Sequence, residues 1–219
     1  MPGEWFWDFL FPPRCGGCGR RGSWFCQACQ GSAQRLQPRW CPRCGRPCAV
    51  QPCPICASSD VGPDDLGAWF HLQGAVREAV HRLKYGDRPR LARPLVELGL
   101  AGEPLHDGVI VAVPLAPDRL RQRGYNQAEA IAIELAGCAG RQRAAGLRRV
   151  HSTGTQVGRG GDDRRAALAG AFTWEGRPPP REVVLVDDVV TTGATLAECA
   201  KALRAAGSVS VHALAIALG

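Results

Sequence analysis

Two adjacent acids, Asp187 and Asp188, follow the apolar run Val183 to Val186, and a turn of small residues, Thr191, Thr192, Gly193, Ala194 and Thr195, comes next. The run is β-branched and aliphatic without alternation, the pattern of a strand covered on both faces of a parallel sheet. The acids are therefore expected at the carboxyl end of that strand, where open α/β sheets bind ligands. Beyond the turn, Leu196, Ala200 and Leu203 recur at helical spacing, so the turn sits at a helix N-terminus whose free N–H groups favour a phosphate. Three threonine hydroxyls add hydrogen bonds, and Gly193 permits a tight turn with close backbone approach. Paired carboxylates suit ribose hydroxyls and a hydrated magnesium ion. A P-loop reading fails because no G-x-x-x-x-G-K-[ST] occurs; the lysines are Lys84 and Lys201.

A second chemistry lies near the amino terminus. Cys15 and Cys18, Cys26 and Cys29, Cys41 and Cys44, and Cys53 and Cys56 form four pairs at two-residue spacing, which lets both sulfurs of a pair reach one tetrahedral zinc ion. The shorter gaps within each half of the series favour two sequential four-cysteine sites and two structural zinc ions. Interleaved pairing, a single loaded site, or disulfides are the alternatives. Cys48 has no partner at this spacing, while Cys138 and Cys199 lie in helical patterns and are expected as small buried residues.

A third candidate is the arginine-rich stretch after the apolar run Val109 to Val113. There Arg119, Arg121 and Arg123 can supply the bidentate donors that a diphosphate needs. The competing reading is a solvated basic loop in which Asn126 caps the next helix.

The thirteen residues Val183 to Thr195 resemble the phosphoribosyl pyrophosphate (PRPP) signature of type I phosphoribosyltransferases. Together with the cysteine-rich start and RGYNQA at Arg123 to Ala128, the chain resembles the ComF family of competence-related phosphoribosyltransferase-like proteins over nearly its whole length. The resemblance implies PRPP bound with magnesium: its 5′-phosphate in the Thr191 to Thr195 turn, its ribose at Asp187 and Asp188, and its pyrophosphate near Arg123. It also singles out Tyr125, Asn126 and Gln127. As an enzyme, the protein would transfer phosphoribosyl to an acceptor, with Arg123, Asp187 and Asp188 as the catalytic residues. As a non-catalytic relative, it would serve single-stranded DNA uptake in natural transformation, with a competence-machinery protein as a further partner. Relatives tend to carry Gln, then Arg-x-x-Asn, then Ala-Phe in the following loop. This chain has Gln156, Arg164 and Ala171-Phe172 but Ala167 in place of the Asn, which removes any side-chain role there.

The elements that must position these residues follow from periodicity. Ala68 to Leu72 reads as a short strand, and Gly74 to Lys84 as a helix on the strength of Val76, Ala79, Val80 and Leu83. Leu91 to Leu100 reads as a helix with Pro94 in its first turn, and Gln127 to Ala139 as another. Arg141 to Gly170 reads as one long loop, and Val209 to Leu218 as the closing strand. Such alternation makes a doubly wound parallel α/β sheet of the type I phosphoribosyltransferase kind, preceded by a small zinc-ribbon module. The expected division is 1–57 for the amino-terminal segment and double ribbon, 58–67 for a linker, and 68–219 for the main domain.

The chain has 219 residues, 45% of them hydrophobic and 21% charged, which suits one such domain plus a module. Its formal charge of +7 counts cysteines as neutral; two four-thiolate zinc sites would lower it to about +3, so charge is weak evidence for nucleic acid. The aromatic opening, with Trp5, Phe6, Phe9 and Leu10, contains acids and stops at Pro12-Pro13. It is too short for a membrane span or signal peptide, and a cytoplasmic protein is expected.

Overall fold

A computed structural model describes residues 12–36, 53, 62–86, 88–102, 105–150 and 168–219. Its centre is a parallel sheet of five strands: β1 (Asp65–His71), β2 (Val109–Ala112), β3 (Arg143–Ala144), β6 (Glu182–Val190) and β7 (Ser210–Leu218), in the order β1-β7-β6-β2-β3. Two further strands, β4 (Leu147–Arg149) and β5 (Phe172–Trp174), pair antiparallel as a separate ribbon, and a first short helix, α1 (Gln27–Gly31), lies in the cysteine segment.

β6 is buried on both faces because its residues divide between two cores. Val184 and Val186 join α2 (Gly74–Tyr85), α3 (Ala92–Leu100) and α5 (Gln127–Ala139) on one side. Val183 and Leu185 join α6 (Ala194–Ala206) and the β4–β5 ribbon on the other. The sheet is thus wound on both faces. The chain leaving β2 returns through α5 on the first face, and the chain leaving β6 returns through α6 on the second. A topological switch point therefore falls between β2 and β6, and a crevice is expected at their carboxyl ends.

The helices form where the periodicity places them. Val76, Ala79, Val80 and Leu83 are buried along α2, and α5 spans the residues expected of it. One close approach demands glycine: a Cβ on Gly99 of α3 would lie 2.1 Å from the Trp69 ring, so only hydrogen lets this helix settle on β1.

Four expectations are corrected. β1 begins at Asp65, because Asp65 to Ala68 already pair with β7, so the strand enters the stretch expected as linker. Arg141 to Gly170 is not one loop: β3 extends the sheet beside β2, and β4 meets β5 to cover α6. The basic stretch after β2 is the short helix α4 (Pro117–Arg123), started by Pro117 and ended by Gly124 at φ 77°. Cys199 is buried as expected, but Cys138 is exposed. The buried stripe of α5 runs through Ala128, Ile131, Ala132, Leu135 and Ala136, and Cys138 falls on its margin in the last turn.

Candidate functional site

β2 ends its pairing with β6 at Ala112 and Val186, whereas β7 accompanies β6 as far as Val190. Asp187 and Asp188 therefore stand near the carboxyl end of the strand, as the sequence suggests, with Val189 and Val190 still paired to β7 after them. They stand on the edge that β2 has left, beside the crevice. Alternation sends them to opposite faces. Asp188, buried, turns toward α2, where Lys84 Nζ lies 2.9 Å from its Oδ2. The pair is electrostatic, not a directed hydrogen bond, since among the described residues Asp188 Oδ2 has no aligned donor. Asp187 turns toward α6, and its Oδ1 accepts the Asp188 backbone N–H at 2.8 Å. Burial pushes the Asp187 carboxyl well above its ordinary value, and the Asp188 charge pushes the same way; the backbone N–H and Lys84 only partly oppose them.

Gly193 takes φ 72° and caps α6 from outside, turning the chain so that Thr191 to Thr195 wrap the helix N-terminus. These residues and Asp187 line a cavity of about 40 Å³. A water needs roughly 10–15 Å³ measured this way, so the cradle admits a larger group. Thr192 Oγ1 accepts the Ala194 N–H at 3.4 Å.

Across the crevice, the RGYNQ residues divide their work. Arg123 donates to Gln127 Oε1 at 3.0 Å and to the Tyr85 hydroxyl at 3.1 Å, with its guanidinium 4.8 Å from the centre of the Tyr85 ring. Among the described residues, its Nε is buried without a hydrogen-bond partner. Gln127 is itself buried and fixes the guanidinium from the first turn of α5. Tyr125 donates its hydroxyl to the Leu83 carbonyl, tying this turn to α2. Asn126 caps α5 by accepting the Ala128 N–H at 3.1 Å and donates to the Val113 carbonyl at 2.9 Å. Arg119 and Arg121 are exposed on α4, where Arg121 pairs with Asp118.

Sequence reasoning misses two cations. Lys84 stands out in the sequence only as one of two lysines, and nothing in its surroundings marks it as the partner of an acid a hundred residues away. Arg149, on β4, is pushed down by burial and then by the charge of Arg119, so two arginines lie within electrostatic range on the α6 side. Its signal is hidden because the surrounding sequence reads as loop.

The sulfurs of Cys15, Cys18, Cys26 and Cys29 lie within 4.8 Å of one another, with Cys18 and Cys26 at 3.7 Å. A tetrahedral zinc with bonds near 2.3 Å needs sulfurs about 3.8 Å apart, so the four fit one ion. They are the four that sequential pairing assigns to a first site. Burial resists ionisation of Cys15, but backbone N–H groups of Cys26, Cys18 and Gly17 outweigh it and bring the thiol down to about 6. Cys29 is pushed up by burial and by its neighbours' sulfurs. Of the second group, Cys53 is buried; Cys41, Cys44 and Cys56 lie outside the described residues, as do Cys48, Gln156, Arg164 and Ala167. Among the described residues, no helix is long and apolar enough to cross a membrane.

Residues 6–59 match the family described as double zinc ribbon domain. The DNA utilization protein YhgH of Salmonella typhi is 34% identical over 201 residues, covering 85% of this chain and 87% of that protein. Competence protein F of Haemophilus influenzae is 31% identical, covering 89% and 80%, and competence protein ComFC of Streptococcus pneumoniae is 26% identical, covering 89% and 87%. Among solved structures, a glutamine PRPP amidotransferase from B. subtilis, complexed with ADP and GMP, aligns over 63% of this chain and 27% of its own. Its TM-score is 0.39 and its identity 20%, a likeness too slight to carry an argument.

Proposed function

This chain belongs to the family of the DNA utilization proteins YhgH and the competence proteins F and ComFC, and from that premise we propose that it binds PRPP with magnesium in the crevice between β2 and β6. The observation that carries the reading is the pairing of Asp187 and Asp188 with an anion cradle one turn further on, at the N-terminus of α6. A sugar phosphate that also carries a diphosphate satisfies all parts of such a site. The 5′-phosphate takes the N–H groups and hydroxyls of Thr191 to Thr195. Asp187 and Asp188 accept from the ribose hydroxyls. The diphosphate lies toward Arg123, which Gln127 and Tyr85 hold in place.

The two carboxylates also fit magnesium, a hard cation that prefers oxygen donors, and among the described residues Asp188 Oδ2 lacks an aligned donor of its own. When bound, magnesium would neutralise diphosphate charge. Lys84 holds Asp188 in the ligand-free crevice, and a cation arriving there competes with it. Any transfer of phosphoribosyl to an acceptor rests on positioning and on stabilising the departing diphosphate, the work suited to Arg123.

Calorimetric titration with PRPP and magnesium tests the site, and pyrophosphate release across candidate acceptors then tests turnover. Replacing both acids, Asp187→Asn with Asp188→Asn, should weaken PRPP far more than inorganic phosphate; equal loss of both ligands would assign the acids to structure. The non-catalytic reading, a module handling single-stranded DNA, draws on the relatives' names and on exposed Arg14, Arg20 and Arg21 beside the cysteine cluster. It is favoured if PRPP binds without turnover while single strands bind with an affinity that falls steeply with salt.

A further inference from the structure

At the other end of the sheet, where the strands begin, two histidines converge on one carboxylate. Asp65 and His212 are register partners on β1 and β7, so their side chains stand together on one face. His106, in the segment leading to β2, completes the group from above. Asp65 Oδ2 lies 2.7 Å from His106 Nε2 and 3.1 Å from His212 Nδ1, and the three ligand atoms all fall within 4.8 Å of one another.

The polar groups here are incompletely satisfied. Among the described residues, Asp65 Oδ1 and His212 Nδ1 are both buried without a hydrogen-bond partner. On its far side, His212 Nε2 meets Ser210 Oγ at 2.9 Å. The direction of this bond depends on the imidazole tautomer: where the hydroxyl accepts from Nε2–H, a lone pair is left on Nδ1. That lone pair then faces a carboxylate oxygen, acceptor against acceptor, and a cation between them removes the conflict. Ser210 would be the outer partner that orients a ligating imidazole. The group also borders a cavity of about 220 Å³ whose walls include Trp69, Leu105, Val184 and Leu214.

We propose that Asp65, His106 and His212 form a binding site for a first-row transition-metal dication, with its remaining coordination positions open to this cavity. Two imidazoles and one carboxylate select zinc, cobalt, nickel or iron over magnesium and calcium. Three protein ligands leave room for water or a small ligand on the ion. Bonds near 2.0–2.1 Å put tetrahedral ligand atoms about 3.3 Å apart, close to the spacings around Asp65. One adjustment is needed. The two rings are stacked, 4.1 Å apart and 2° from parallel, and an ion cannot lie in both ring planes at once. His106, with its side chain 56% exposed, is the ring able to turn out of the stack. The site is separate from the cysteine cluster and from the crevice at Asp187, and it does not depend on PRPP binding.

The test is equilibrium dialysis against cobalt(II) of chain first stripped by a weak chelator to its cysteine-bound zinc alone, with wild type and His106→Ala compared by metal analysis and visible absorption. Because His106 is exposed, its replacement spares the fold. Wild type should take up about one further equivalent without thiolate-to-cobalt charge-transfer bands, and the variant none. No further equivalent in wild type overturns the proposal. So does equal uptake by the variant, or uptake carrying the thiolate bands, which marks exchange into the cysteine cluster. Proton resonances locate the ion independently of the count: paramagnetic shifts at the imidazoles of His106 and His212 support the site, and unshifted imidazoles overturn it.

Discussion

Asp187 sits where ionisation opposes folding. Its carboxyl is raised above 3.8 by burial and by Asp188, so the folded state binds the proton more tightly than the unfolded chain does. A group raised in this direction contributes its stability fully below the unfolded value and loses it as pH rises through the folded one. At neutral pH the ligand-free crevice therefore carries a cost that a neutral side chain avoids. Asp187→Asn keeps an oxygen for the Asp188 N–H and should stabilise the ligand-free protein by about 1 kcal/mol, the scale typical of relieving a strained functional site. Urea denaturation checks this: the advantage should shrink as pH is lowered, because the wild-type carboxyl is then protonated in both states. The same variant should bind PRPP less well. Stability gained and affinity lost together would assign Asp187 to the ligand and not to the scaffold.

At the scale of elements, the turn between α4 and α5 is held chiefly by Asn126, which joins the start of α5 to the end of β2 through Val113. Asn126→Ala removes both the cap and the link, and should lower stability by about 1–2 kcal/mol. Asn126→Asp restores the cap but cannot donate to the Val113 carbonyl, so thermal unfolding should place it between wild type and Ala. If Asp matches wild type, the link to β2 contributes nothing. The cap, like most of the sheet and helices, is legible in sequence, because β6, α2 and α5 carry apolar patterns that local physics alone imposes. Three things are not. The length of β6 past Asp188 depends on pairing with β7 and not on its own residues. The β4–β5 ribbon is masked by glycine and arginine, and its strands of three residues are too short to show a period. Lys84 reaches Asp188, and Asp65 meets His212, only because parallel strands and a crossover helix bring distant residues together; no local pattern encodes either contact.

At the scale of the whole molecule, the cysteine cluster is built into the core of the main domain. Cys15, Phe25 and Cys29 share one buried cluster with α2 and α3, and a Cβ on Gly16 would lie 2.6 Å from Leu91. Arg82, from α2, donates to the Cys15 carbonyl at 2.8 Å and the Gly16 carbonyl at 2.7 Å, clasping the first cysteine turn from below. The same last turn of the helix carries Lys84 and Tyr85, which hold Asp188 and Arg123. Zinc bound at these cysteines would therefore supply free energy to a surface that also anchors one wall of the crevice. A module that merely hung from a linker would melt first and spare the rest. Here, removal of metal by a chelator should lower the melting temperature of the main domain itself and weaken PRPP in the same titration. Elemental analysis before chelation should give about two cysteine-bound zinc per chain, from eight thiolates at four per ion, over and above any ion held by Asp65, His106 and His212. Arg82→Met keeps much of the side-chain length but cannot donate, so it should uncouple the two: with this variant, chelation should still unfold the cysteine turns but shift the main-domain melt less than in wild type. Two separate transitions in the wild-type chelated protein, with the main-domain melt and PRPP affinity unmoved, would make the cluster an appendage despite its buried contacts.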